Sequence, residues 1–130
     1  MIKGQQPARR ASPRVVSYSL SRERVATEAV EAHERKKGGK PRRSRHGSGY
    51  DMESRGRKIE IKTRSNLEGG FVQLGRQQFK ILCKDRNYWI YLVCISGGKT
   101  KIFEFPRREI LPKIRPYIHY DFVFGKKDLR

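Results

Sequence analysis

Asp51, Glu60 and Lys62, all within the stretch "GYDMESRGRKIEIK", have the types and spacing to do chemistry together. Residues two apart on a strand emerge on one side, so Glu60 and Lys62 share a face while Ile59 and Ile61 turn to the core. Asp51, on an adjoining strand, reaches the same place across a hairpin. A carboxylate from each strand suits a hard divalent cation such as Mg²⁺ or Mn²⁺, which takes oxygen ligands and keeps waters for a phosphate substrate. A lysine beside that cation could orient or deprotonate an attacking water, or stabilise the charge that develops on phosphorus. The alternative is a solvated face of cross-strand ion pairs that holds no ligand. Glu53, the third carboxylate of the segment, is read as structural, or as a salt-bridge partner of Arg55 or Arg57, rather than as a ligand.

The elements that must position these residues are legible from periodicity. "YDME" and "RKIEIKTR" each alternate apolar and polar residues, and Ser54-Arg55-Gly56-Arg57 is a turn between them. They predict two antiparallel strands that bury one face and offer the acidic residues on the other. A helix is predicted ahead of them from Ser21, its N-cap, to the stop at Gly38-Gly39. Its apolar stripe is read as Val25, Ala29 and Ala32, flanked by Ala26 and Val30. "KPRRSRH" is a basic connection with room for an edge strand, and "GGFVQL" reads as a short strand or a loop entry. "GRQQFKILCKD" has helical spacing at Phe79, Leu82 and Cys83. "YWIYLVCI" is a nearly continuous apolar run, expected of a strand covered on both faces. "KTKIFEF" gives a further strand, and the alternation of Ile118, Tyr120, Phe122 and Phe124 suggests one more in the tail. The order is α, β, β, β, α, β, β.

With 130 residues the chain holds one domain, divided here as a basic arm (1–20), the domain proper (21–110) and an extension (111–130). Its 31 Lys and Arg against 13 Asp and Glu leave a formal charge of +18, which favours a polyanion as partner. No apolar run is long enough to span a bilayer and the N-terminus lacks the apolar centre of a signal peptide, so the expected partner is nucleic acid rather than membrane, in the cytoplasm. The arm, with Arg9, Arg10 and Arg14, reads as irregular chain that neutralises phosphates. Lys40, Arg42, Arg43, Arg45 and Arg64 are further expected phosphate contacts. Cys83 and Cys94 read as two buried thiols, and His33, His46 and His119 have no zinc-site spacing. Tyr88, Trp89 and Tyr91 are assigned to the core. Tyr117, Tyr120, Phe122 and Phe124 are assigned to core or edge packing, with base stacking or a partner contact as the alternatives. Gln73, Gln77 and Gln78 are possible contacts to a substrate backbone.

With Asp51 opening one strand and Glu60-Ile61-Lys62 on the next, the segment resembles the PD-(D/E)xK nuclease superfamily, the restriction-endonuclease-like α/β fold. "GYDMESRGRKIEIK" is most similar to the NO VEIN C-terminal-type domain, and the likeness runs from about Arg24 to Phe105. The resemblance implies an αβββαβ core, a central mixed sheet flanked by helices. It also implies Asp51 and Glu60 as metal ligands and Lys62 as catalytic base or charge stabiliser, with Glu28 adding an acidic group from the first helix. Two functions follow as expectations. One is a Mg²⁺- or Mn²⁺-dependent nuclease that hydrolyses DNA. The other is a non-catalytic binder of structured RNA, including ribosomal RNA, on the same scaffold.

Overall fold

The computed structural model describes the backbone of residues 5–117 and 120–129, and their side chains from residue 21 onward. Helix α1 runs Gln5–Lys36 and takes in most of the expected irregular arm. Ala8, Arg9, Arg10, Ala11 and Arg14 are good helix formers, and Pro7 falls in the first turn, where no backbone hydrogen bond is lost. The side chains of Arg9, Arg10 and Arg14 lie outside the described residues.

Five strands follow: β1 (Arg42–Arg43), β2 (Met52–Ser54), β3 (Arg57–Arg64), β4 (Tyr88–Ser96) and β5 (Lys99–Pro106), with α2 (Arg76–Lys84) between β3 and β4. They form one sheet in the order β1-β2-β3-β4-β5. Neighbours are antiparallel except β3 and β4, which run parallel from Lys58 beside Tyr88 to Arg64 beside Cys94. That parallel seam joins an antiparallel group of three to an antiparallel pair. The β2-β3 turn is the expected one: Arg55 (φ 51°) and Gly56 (φ 75°) both take the left-handed conformation that a two-residue hairpin requires.

The seam demands cover on both faces, and both are covered. On one side Ala26 and Val30 of α1 pack on Met52, Ile59, Tyr91 and Val93. On the other, Leu82 of α2 packs with Tyr88, Ile90 and Ile110, the last from a short helix, α3 (Arg107–Ile110). On the acidic side of the hairpin Glu60 is 4% exposed, beneath α2, whereas Asp51 stays exposed and Glu53 is half-buried.

"GGFVQL" is irregular, the loop entry of its two alternatives. Two further expectations change. Cys83 is exposed while Cys94 is buried. The described tail residues, 117 and 120–125, form no strand, and Tyr120 is 88% exposed. Pro112 and Pro116 cannot donate to a ladder, and Ile114 anchors the chain under the α2 side of the sheet. Phe122 and Phe124 stack on each other instead, ring centroids 5.8 Å apart. Ile118 and His119 lie outside the described residues.

Candidate active-site cleft

Asp51 sits where the β2-β3 ladder parts. Its amide still bonds to the Ile59 carbonyl at 2.8 Å, but its side chain replaces the next backbone acceptor, with Asp51 Oδ2 taking the Ile61 amide at 2.7 Å. The carboxylate is thereby fixed to the same strand that carries Glu60 and Lys62. Just before it, Gly49 holds φ at +87°, and a Cβ there would stand 3.0 Å from Gln77 and Ile81 of α2. The chain can turn into Asp51 this close to α2 only without a side chain.

Glu60 and Lys62 point together toward α2, as strand spacing requires. Gln78, in the first turn of α2, joins them: its Nε2 donates to Glu60 Oε2 at 2.8 Å, and its Oε1 accepts from Lys62 Nζ at 3.3 Å and from the Gly75 amide at 2.8 Å. Lys62 Nζ lies 3.4 Å from Glu60 Oε2. Burial, and then the charge of Asp51, push the Glu60 carboxyl up to about 8, with Lys62 offsetting only part of the rise. Glu60 is buried while Asp51 is exposed, and the negative charge of Asp51 beside it favours a proton, or another cation, at Glu60.

These groups line one cleft of about 780 Å³, closed by Glu23 and Thr27 of α1 and by the loop Phe71–Gln73. Asp51, Glu60 and Lys62 are therefore brought together. Glu28 is not with them: it is exposed, and its charge acts on Arg43. The buried stripe of α1 is Ala26, Val30 and Glu34, and Glu23 and Thr27 fall on its line at spacings of 3 and 4, whereas Glu28 lies about 140° round the helix from Glu23. Of the stripe read from sequence, the flanking Ala26 and Val30 are the buried pair, while Val25 and Ala32 are exposed.

Among the expected phosphate contacts, Arg43 forks onto Glu31 at 3.0 Å through both Nε and Nη2, and Arg42 reaches Glu53 at 3.1 Å. Glu53 also accepts from the Tyr50 hydroxyl, so its partners are Arg42 and Tyr50, not Arg55 or Arg57. Lys40 and Arg45 are exposed. Arg64 lies at the rim of the cleft, beside Phe71 and Val72.

A second acidic cluster, His33, Glu34 and Glu104, lies within 4.8 Å. Its charges are already met. Arg55 forks onto Glu34 at 2.7 Å, Tyr91 Oη donates to Glu34 at 2.6 Å, and Glu104 takes His33, Lys37 and Arg57. Burial alone would raise both carboxyl groups, yet these donors outweigh it and hold each down at about 2. Glu60 differs from both: burial outweighs its neighbour Lys62 and its carboxyl is raised rather than held down.

Residues 22–105 match the family model described as Protein NO VEIN, C-terminal. No curated protein and no solved structure matches the chain. No helix among the described residues is long and apolar enough to cross a membrane.

Proposed function

The chain belongs to the NO VEIN C-terminal family, and on that premise we propose that it is a metal-dependent nuclease hydrolysing DNA phosphodiesters in the Asp51-Glu60-Lys62 cleft. The observation that carries this reading is the convergence of a buried carboxyl, a second carboxylate and an ammonium group on one open cleft. The arrangement is also what the PD-(D/E)xK resemblance implies. Asp51 and Glu60 would hold Mg²⁺ or Mn²⁺. The donor set fits, because both ligands are hard oxygens and the pair is destabilised by its own proximity. Bound there, the ion supplies polarisation of a phosphoryl oxygen and a more acidic water.

The protein's own groups do the rest. The backbone contact from Ile61 aims Asp51, and Gln78 fixes the rotamer of Glu60. Lys62, steadied by Glu60 and Gln78, places positive charge where the phosphorus centre gains negative charge, or takes the proton of the attacking water. Ile59, fully buried, prevents β3 from rotating and so preserves the spacing of all three groups.

The second reading, a non-catalytic binder of structured RNA including ribosomal RNA, is favoured by the distribution of charge. Among the described residues Lys62 is the one Lys or Arg lining the cleft, so most of the +18 lies away from its lining. A cleavage time course separates the two. With Mg²⁺ or Mn²⁺ and duplex DNA, single-stranded DNA or structured RNA as substrate, wild type is expected to cut DNA. Lys62→Ala is expected to lose about 100-fold or more in rate with little change in affinity. Asp51→Asn and Glu60→Gln should lose activity and bind as well or better, since each removes a negative charge facing phosphate. Equal traces in wild type and Lys62→Ala, or no cleavage with either metal, would replace the enzyme by the RNA binder.

A further inference from the structure

Beside the cleft lies a second cavity of about 270 Å³ that shares Thr63, Phe71 and Val72 with it. The two differ in charge. Among the described residues three carboxylates line the first, Glu23, Asp51 and Glu60, whereas none lines the second, whose polar wall is Arg64, Ser65 and Asn66. A cation belongs in one and an anion in the other, side by side.

Two details shape the anion side. Arg64 Nε is buried with no hydrogen-bond partner, and its Nη2 reaches Asn66 Oδ1 at 3.5 Å, the limit of a hydrogen bond. The guanidinium lies against the backbone of Gly70, where a Cβ would stand 2.8 Å from Nη1. The loop therefore holds Arg64 in position by packing and leaves most of its donors unengaged. The next residue, Phe71, is 81% exposed on the wall common to both cavities. A lone exposed aromatic would carry nothing; this one stands between a carboxylate cleft and an arginine pocket.

Resting on the nuclease reading of the cleft, we propose that Phe71 and Arg64 form a subsite for one unpaired nucleotide next to the scissile phosphodiester, its base stacked on Phe71 and its phosphate held by Arg64. A base inside a duplex has no free face to give, and the pocket takes one nucleotide unit rather than a paired one. The preferred substrate is therefore single-stranded or frayed polynucleotide. Stacking reads no sequence, so discrimination among the four bases is weak.

Binding tests this apart from cleavage. The full-length chain is titrated, with EDTA and at physiological ionic strength, into fluorescein-labelled oligothymidine, a single-stranded RNA of equal length and a blunt DNA duplex. Phe71→Ala is expected to weaken single-strand binding about tenfold and duplex binding less than twofold, with Phe71→Trp restoring it. Arg64→Gln should lower the salt dependence on single strands by about 0.7. The RNA arm shows whether the subsite distinguishes the sugar. Phe71→Ala that leaves single-strand affinity unchanged, that weakens both forms alike, or that changes the melting temperature of so exposed a site overturns the proposal. So does a wild type that binds no single strand. If the metal-dependent cleavage fails, Phe71-dependent binding persists; if the subsite fails, a working nuclease cuts single and double strands without regard to Phe71.

Discussion

The carboxyl groups of buried Glu34 and half-buried Glu104 on the one hand, and of buried Glu60 on the other, pull the stability of this protein in opposite directions with pH. Glu34 and Glu104, held at about 2 against an ordinary value of 4.5, contribute stability above pH 4.5 that is lost as the pH falls toward 2. Glu60, raised to about 8, is protonated in the fold while the unfolded chain has already ionised, so stability falls as the pH rises from 4.5 to 8. Melting temperature without metal should therefore peak in the weakly acidic range. Glu60→Gln, which keeps the shape and the contact to Gln78 Nε2, should stabilise the metal-free protein by about 2 kcal/mol at pH 7 and by nothing near pH 4.5. Saturating Mg²⁺ should raise the melting temperature of wild type at neutral pH and leave Glu60→Gln unmoved. Calorimetry across pH, with EDTA and with Mg²⁺, checks all three. A neutral-pH gain from Glu60→Gln that persists unchanged at pH 4.5 would mean the residue is limited by packing, not by its charge.

Elements differed in how clearly they could be read from the chain, and the reason is where their partners sit. The β2-β3 hairpin was legible because everything it needs is local: alternation, a Gly in the turn, and Asp51 within reach of Ile61. Helix α2 and the strand "YWIYLVCI" were legible from spacing and apolar length. The buried face of α1 was legible only in part, through Ala26 and Val30, because Glu34 at its C-terminal end looks like a surface residue until Arg55 and Tyr91 arrive from the β2-β3 turn and β4. Glu28 was expected from the family resemblance alone, and the cleft-side acidic residue of α1 is Glu23. Gln78 carried a weak signal in sequence, and its position three residues after Gly75, where its side chain accepts the Gly75 amide, was the available hint. The same network gives a prediction for the docking of α1. Arg55→Ala leaves a buried carboxylate without its fork and should destabilise by about 3 kcal/mol, while Tyr91→Phe removes one donor and should cost about 1 kcal/mol. Urea unfolding at pH 7 measures both, and equal losses would mean that Arg55 acts by packing rather than by charge.

At the scale of the whole molecule, charge governs binding and topology governs assembly. With +18 overall, affinity for nucleic acid should fall by about 0.9 in log K per log unit of salt for each duplex phosphate neutralised. Deleting residues 1–14 should reduce that slope, and an unchanged slope would take the arm out of the interaction. Exposed Lys40 and Arg45 should matter more than Arg42 and Arg43, which are engaged with Glu53 and Glu31. The single parallel seam sets a timetable as well. Hairpins close within about 1–10 μs, whereas Lys58 must find Tyr88 across the whole length of α2 and its loops, a slower, non-local search. Pulse-labelled hydrogen exchange should see the Ile61 amide, bonded to Asp51, protected before the Lys58 amide, bonded to Asn87. Until that second event Glu60 has no Gln78 beside it and no burial to raise its affinity for a proton. The cleft comes into being only when the two halves of the sheet meet, so a chain caught midway through folding carries the full charge but not the cleft on which the proposed cleavage depends.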